Sequence, residues 1–183
     1  MKRLLVVAAV LACMSLAACM PPATATTAAR SDTWPAGWTL PNHKLTPGAT
    51  ASGYGLRDIC PHVNPKLEAA RPSYAEEKQV YQEYGIMHHH RGQFEVDHLI
   101  SIELLGNPGS IRNLWPELND KPDSAAIRAE HLNPAYVHNS KDILEDVLHR
   151  DVCSGRVRLG VAQKAIASDW RVAYVKYVGR PPK

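Results

Sequence analysis

The sequence predicts an α+β fold: a small two-stranded hairpin plus a helix, embedded in a mainly helical single domain. Three observations carry this. Phe94, Val96, His98 and Ile100 alternate with Glu95, Asp97 and Leu99 at the period of a short strand. A Gly/Pro/Asn-rich loop over 101–110 returns the chain to an apolar run at 111–114, the expected second strand, which Pro116 should stop. Capped, periodic segments on both sides read as helices.

The elements follow in order. Residues 31–60 hold TWPAGWTLPNH, TPG and SGYG, irregular chain expected to be held down by Trp34, Trp38 and Tyr54. Ser73, with Glu76 three residues on, opens a helix that Gly85 ends. Residues 115–133 read as a polar insertion with a brief helical turn at 125–130. Asn133-Pro134 then reads as a helix start, Asn at the cap and Pro in the first turn. That helix should run to 151 and bury Val137, Leu144, Val147 and Leu148. His138, Asp142, Glu145 and His149 fall along another stripe of it. Ser154-Gly155 ends the unit. A last helix over 159–177 carries Leu159, Ala162, Ile166, Trp170, Ala173 and Tyr177 on one side, a core stripe.

At 183 residues the chain has room for one domain with a real core. Its start is a different kind of segment. Lys2 and Arg3 precede an apolar run too short to span a bilayer, and small residues lead to Cys19. Residues 1–18 read as a secretory signal. The stretch LAAC resembles the bacterial lipobox, which implies a lipid on Cys19, a Pro/Ala/Thr-rich tether over 19–33, and an envelope lipoprotein facing the periplasm. The folded domain is then 34–180.

The formal charge of +3 falls to +1 once Lys2 and Arg3 are removed, so overall charge makes no case for a nucleic-acid partner. Eight basic residues over 150–183 stand against Asp151 and Asp169 alone, a basic end that either meets phosphates or forms a solvated helix surface. Outside the signal and the lipid site, two cysteines remain. In an oxidising compartment Cys60 and Cys153 read as one long-range disulfide. Any metal must rest on His, Asp or Asn. The triplet of His88, His89 and His90 invites a metal reading, but adjacent residues on a strand face opposite ways.

Hydrolysis of a phosphodiester needs a base to activate water and a cation to hold the phosphate. An imidazole titrates near neutrality and suits the first task. Carboxylate and imidazole ligands suit Mg²⁺, Mn²⁺ or Zn²⁺. Asp97 beside His98, then Asn113, then His138 with Asp142 one turn later supply each part. Equally, Asp97 can cap a loop, His98 can be a half-buried strand residue, Asn113 can brace a turn and His138 can sit wet on a helix. Strict alternation also sends Asp97 and His98 to opposite faces, so both serve one cation only where the strand ends or bends.

VDHLI with IELLG, then IRNLWPE, resembles the HNH, or ββα-metal, nuclease superfamily. A closer resemblance is to a group of bacterial exported proteins with DHLIPLELGG, NLWPE, a KD-x-LE-x-x-LH helix, VCSG and an AQ-x-AI-x-x-DW helix. Here those stretches are KDILEDVLH, VCSG and AQKAIASDW, and the likeness covers most of the chain from about 46 to 177. It implies a metal-dependent endonuclease on DNA or RNA. His98 is the implied general base, oriented by a carbonyl or by Asn113. Asp97 is the implied first metal ligand, and His138, Asn139 or Asp142 the second. Arg112 and Lys141 are the implied phosphate contacts. The chain departs from the pattern at Ser101, where Pro is common, at Leu105, where the first Gly of GG is expected, and in the long spacer before the helix. Two alternatives stand beside the nuclease: an envelope lipoprotein with the same fold that cuts nothing, and a toxin-like effector with an immunity partner.

Overall fold

The computed structural model describes residues 34–60, 62–122 and 124–179. The signal segment, Cys19 and the tether lie outside the described residues. The rest of the domain is α+β, as the sequence predicts. In order, it has short α1 (Pro65–Glu68), α2 (Tyr74–Glu83), β1 (Phe94–His98), β2 (Leu114–Leu118), α3 (Ser124–Ala129), α4 (Ser140–Cys153) and α5 (Leu159–Tyr177), with 3₁₀ turns at Leu56–Asp58, Ile102–Leu104 and Ile111–Asn113. Among the described residues no helix is long and apolar enough to cross a membrane.

α2 starts as its sequence dictates. The Ser73 hydroxyl accepts from the Glu76 amide at 3.3 Å and the Glu76 carboxylate accepts from the Ser73 amide at 2.7 Å, a reciprocal capping box. Val80 is the residue α2 buries. The turn-rich chain ahead of it is tied down by Thr46, whose hydroxyl donates to the Leu114 carbonyl and lies 2.7 Å from the Tyr84 hydroxyl. Trp38 is its apolar anchor, packed on Trp170 and edge-on to Tyr174. Tyr54 is exposed and anchors nothing.

The hairpin corrects one expectation. β2 begins where the second strand was expected to end, and Pro116 lies inside it, opposite Val96. The ladder explains why proline is tolerated. The Leu99 amide bonds to Asn113 and the Asn119 amide to Gln93, so the hydrogen-bonded pairs fall at odd-numbered positions of β1. Val96 and Pro116 form a non-hydrogen-bonded pair, where the missing N–H removes no rung.

α4 corrects another. Asn133-Pro134 forms a turn, with the Ala135 amide on the Asn133 side chain at 3.0 Å, and no helix starts there. The helix begins at Ser140 because Asp142 supplies the cap: its carboxylate accepts from the His138 amide at 2.6 Å and the Asn139 amide at 3.0 Å. α4 then buries Ile143, Leu144, Val147, Leu148 and Val152, and packs on α5 through Ala162, Ile166, Trp170 and Ala173. α5 is not one smooth helix. Asp169 leaves helical geometry (φ −163°, ψ 100°), and its carboxylate takes the Arg171 and Val172 amides, capping the second half.

Cys60 and Cys153 form the disulfide, with Cα atoms 5.6 Å apart across 93 residues of chain. It ties the segment before α1 to the last residue of α4. Ion pairs within the domain take up part of the basic end: Arg150 with Glu130, Arg156 with Asp151, and Arg171 with Asp169.

Candidate active site at the end of the hairpin

β1 delivers its last two residues to one cleft. Arg71, Pro72, Glu77, Tyr81, Phe94, Glu95, Val96, Asp97, His98, Ile102, Tyr136 and His138 line a volume of about 660 Å³. Three predicted site residues, Asp97, His98 and His138, thus meet. Asp97 points toward α4, where it pairs with Lys141, while His98 is the terminal residue of β1, and the cleft at this strand end is lined by both.

His98 is fixed by a carbonyl. Its Nε2 lies 3.1 Å from the Pro108 carbonyl oxygen. A carbonyl only accepts, so Nε2 carries the proton and Nδ1 holds the free lone pair. Asn113 orients the loop instead. Wholly buried, it accepts from the Ile100 amide at 3.0 Å and the Ala49 amide at 3.3 Å, and donates to the Ile100 and Asn107 carbonyls at 3.0 and 3.3 Å. All four of its hydrogen-bonding sites are used, and it does not line the cleft. Its expected place among the catalytic residues is corrected to that of a brace.

The loop that Asn113 braces depends on two neighbours. Leu105 adopts left-handed backbone (φ 57°, ψ 34°), the conformation a glycine would take without strain, and buries its side chain in exchange. At Gly106 there is no such freedom. A Cβ would lie 2.6 Å from the Ile100 carbonyl carbon, closer still to its oxygen, and 2.9 Å from the Asn113 amide nitrogen.

Lys141 is the larger correction. Its ammonium is fully buried, so it cannot serve as a solvent-facing phosphate contact. It pairs with Asp97 and with Glu145 one turn along α4, and lies 3.7 Å from Glu117. Three carboxyls around one cation cannot all ionise cheaply. Burial pushes Glu117 well above the usual carboxylate range, against the pull of Lys141 and with the help of Asp97. Glu145 goes the same way for the same first reason. Burial would raise Asp97 too, but Lys141 and a hydrogen bond from Glu117 bring it below its ordinary value. Lys141, which burial alone would lower, is held well above its own. The cluster thus favours the charged form of Asp97 and the protonated form of Glu117.

The second-ligand candidates separate. His138 faces the cleft from the loop before α4, not from a helix. Asp142 is spent on the cap, and burial raises its carboxyl. Asn139 is buried, donating to Glu95 and Asn119 and accepting from the Asp120 amide at 3.0 Å. Arg112 is exposed and outside the cleft lining. Among the described residues, the one set of three His, Cys, Asp or Glu groups whose ligand atoms all lie within 4.8 Å of one another is Cys60, His149 and Cys153. These can hold a metal ion, but both sulfurs are in the disulfide. Asp97, His138 and Asp142 form no such set.

Sequence reasoning missed Arg71, Tyr81 and Tyr136 in the cleft and the part played by Glu117 and Glu145. Glu145 carried a signal, four residues after Lys141 on one helix face. Arg71 and Tyr81 reach the cleft by tertiary packing alone. No family model matches this chain, and no curated protein or solved structure matches it either.

Proposed function

We propose that this chain is a metal-dependent phosphodiesterase of the HNH kind, cutting DNA or RNA with His98 as general base. One observation carries the reading: Asp97, His98 and His138 line a single cleft, with the His98 ring held by the Pro108 carbonyl. In this reading Nδ1 of His98 takes the proton from the attacking water while Nε2–H keeps its bond to Pro108, which steadies the imidazolium as it forms. Arg71 neutralises a neighbouring phosphate oxygen.

The cleft's own charge argues for a cation. Glu77 and Glu95 line it against Arg71 as the one permanently positive side chain, and Lys141 balances Asp97 from behind, so a polyanion meets a net negative cleft until a divalent ion enters. Asp97 and His138 would hold it with Glu95 beside them, hard oxygen and imidazole ligands of the kind suited to hydrated Mg²⁺ or Mn²⁺, or to Zn²⁺. When bound, such an ion supplies charge stabilisation at the phosphate and leaving oxygen.

The test is cleavage of DNA and RNA by purified protein in each metal. His98→Ala should lose about 100-fold or more. Asp97→Ala and His138→Ala should regain part of their loss at high metal concentration, because they weaken the metal rather than the base. Absence of cleavage by the parent protein under all three metals overturns the reading. A second reading, a related fold that binds without cutting, draws on the Lys141 ion pair, which already neutralises Asp97 from behind.

A further inference from the structure

We propose that Cys60, Cys153 and His149, none of which lines the cleft, form a second, redox-gated metal site that takes a thiophilic divalent cation such as Zn²⁺ when the disulfide is reduced. His149 and Cys153 are four residues apart on α4, so the helix presents both side chains on one face. Cys60 meets them from the segment after the Leu56–Asp58 turn. The two sulfurs and a ring nitrogen of His149 lie within 4.8 Å of one another. Bond lengths of about 2.0–2.3 Å in tetrahedral zinc put ligand atoms roughly 3.5 Å apart, so a shift of about an ångström closes the site.

The imidazole is already prepared as a ligand. Its Nε2 lies 2.8 Å from the Ile59 carbonyl oxygen, so Nε2 carries the proton and Nδ1 is left with the lone pair. A ligating histidine whose other nitrogen donates to a backbone carbonyl is the arrangement that fixes ring orientation and tautomer. The Glu103 carboxylate stands 3.8 Å from that Nδ1 and offers an anchor for a bound water. Cys153 is exposed, so a reductant reaches the bond.

The chemistry balances. A dithiol reductant gives two electrons and two protons to the Cys60–Cys153 bond and leaves as its own disulfide. The two thiols then release two protons as their sulfurs bind the cation. Disulfide and metal are therefore alternative staples for one joint, between the segment before α1 and the end of α4, and they exclude each other.

The experiment uses the full chain with Cys13→Ser and Cys19→Ser, so that Cys60 and Cys153 are its two thiols. Oxidised protein and protein reduced by a dithiol are each titrated with Co²⁺. The reduced form should bind one ion more than the oxidised form, with a thiolate-to-cobalt charge-transfer band that the oxidised form lacks. His149→Ala should weaken that binding by about 10-fold or more. The second readout is the melting midpoint of the reduced parent, which excess Zn²⁺ should raise by about 5 °C or more beyond any rise in the oxidised parent. A reduced protein without the band, a band whose affinity ignores His149→Ala, or a midpoint unmoved by Zn²⁺ overturns the proposal. The charge-transfer band arises only from sulfur ligands, so its outcome is independent of the cleft and its chemistry.

Discussion

Replacing Lys141 with Met keeps most of the side-chain volume and removes the one cation among three carboxyls, Glu117 buried and Asp97 and Glu145 part-buried. Breaking a buried ion pair from one side costs about 3–5 kcal/mol, because the remaining charge stays desolvated without a partner. Here the cost should depend on pH. In the parent, Asp97 is held low, so its stabilising contribution is present above its unfolded value of about 3.9 and fades as pH falls through its folded value. Lys141 is held high, so its contribution is complete below about 10.4 and fades as pH rises through its folded value. Together they stabilise the fold across the neutral range. Glu117 and Glu145 are held high and act oppositely, favouring the fold at acid pH and weighing on it as they ionise. Without the ammonium, burial raises Asp97 as well, and the folded variant binds one proton more tightly than the parent does. Its stability should then recover on acidification by up to about 1.4 kcal/mol per pH unit for that proton. Urea unfolding at pH 7.5 should show the full loss, and at pH 5 at least half of it should have returned. Glu117→Gln is the control. Burial favours the protonated form of Glu117, so an amide in its place should cost less than about 1 kcal/mol. An equal loss for Lys141→Met at both pH values, or a Glu117→Gln variant as unstable as Lys141→Met, would refute the charge assignment.

Three further outcomes follow from the same geometry. Gly106→Ala should lose the loop that holds His98, with unfolding destabilised by about 3 kcal/mol or more, since the added methyl meets backbone that cannot retreat; a melting midpoint within 2 °C of the parent counts against this, by the roughly 0.5–1 kcal/mol such a shift represents. Cys60→Ala with Cys153→Ala should cost about 2–5 kcal/mol in urea unfolding, because the bond closes a loop spanning 93 residues. The reading of residues 1–19 as an export and lipidation signal predicts that Cys19→Ala releases the protein from the membrane fraction; mature protein that is soluble and cut downstream of Cys19 would end that reading.

How much of this was legible in the sequence follows the range of the forces involved. The α2 capping box, the α5 stripe and the period of β1 are local patterns, and the structure holds each of them. The disulfide was legible by pairing in an oxidising compartment. What failed was local chemistry with two meanings. Asn133-Pro134 suits a helix start and a turn equally, and the choice fell to Asp142, whose carboxylate caps α4 seven residues later. Pro116 ends a strand unless its nitrogen faces away from the partner, and that depends on register, which a sequence of two short strands does not fix. Lys141 reads as a phosphate contact next to Asp142 until α4 docks on the hairpin. Tertiary placement alone turns it into the buried cation of the domain.

That docking also answers the long spacer between hairpin and helix. In a compact hairpin-plus-helix unit, sequence proximity brings the helix to the strands. Here twenty-one residues separate Leu118 from Ser140, and side-chain bonds take over that task. Asn139 donates to Glu95 of β1 and to Asn119 just past β2. The Asp120 amide donates to Asn139 at 3.0 Å, and the Asp120 carboxylate accepts from the Ser140 amide at 2.8 Å. Lys141, the next residue, drives its ammonium between Asp97 of β1 and Glu117 of β2. The first turn of α4 is thus held to both strands by successive residues on one side, whatever the spacer does. Loop closure grows only slowly with length, so the extra chain costs little once those contacts form. The consequence reaches the cleft: the residue before Asn139 is His138, and fixing Asn139 on Glu95 sets the backbone from which His138 reaches the same opening as Asp97 and His98.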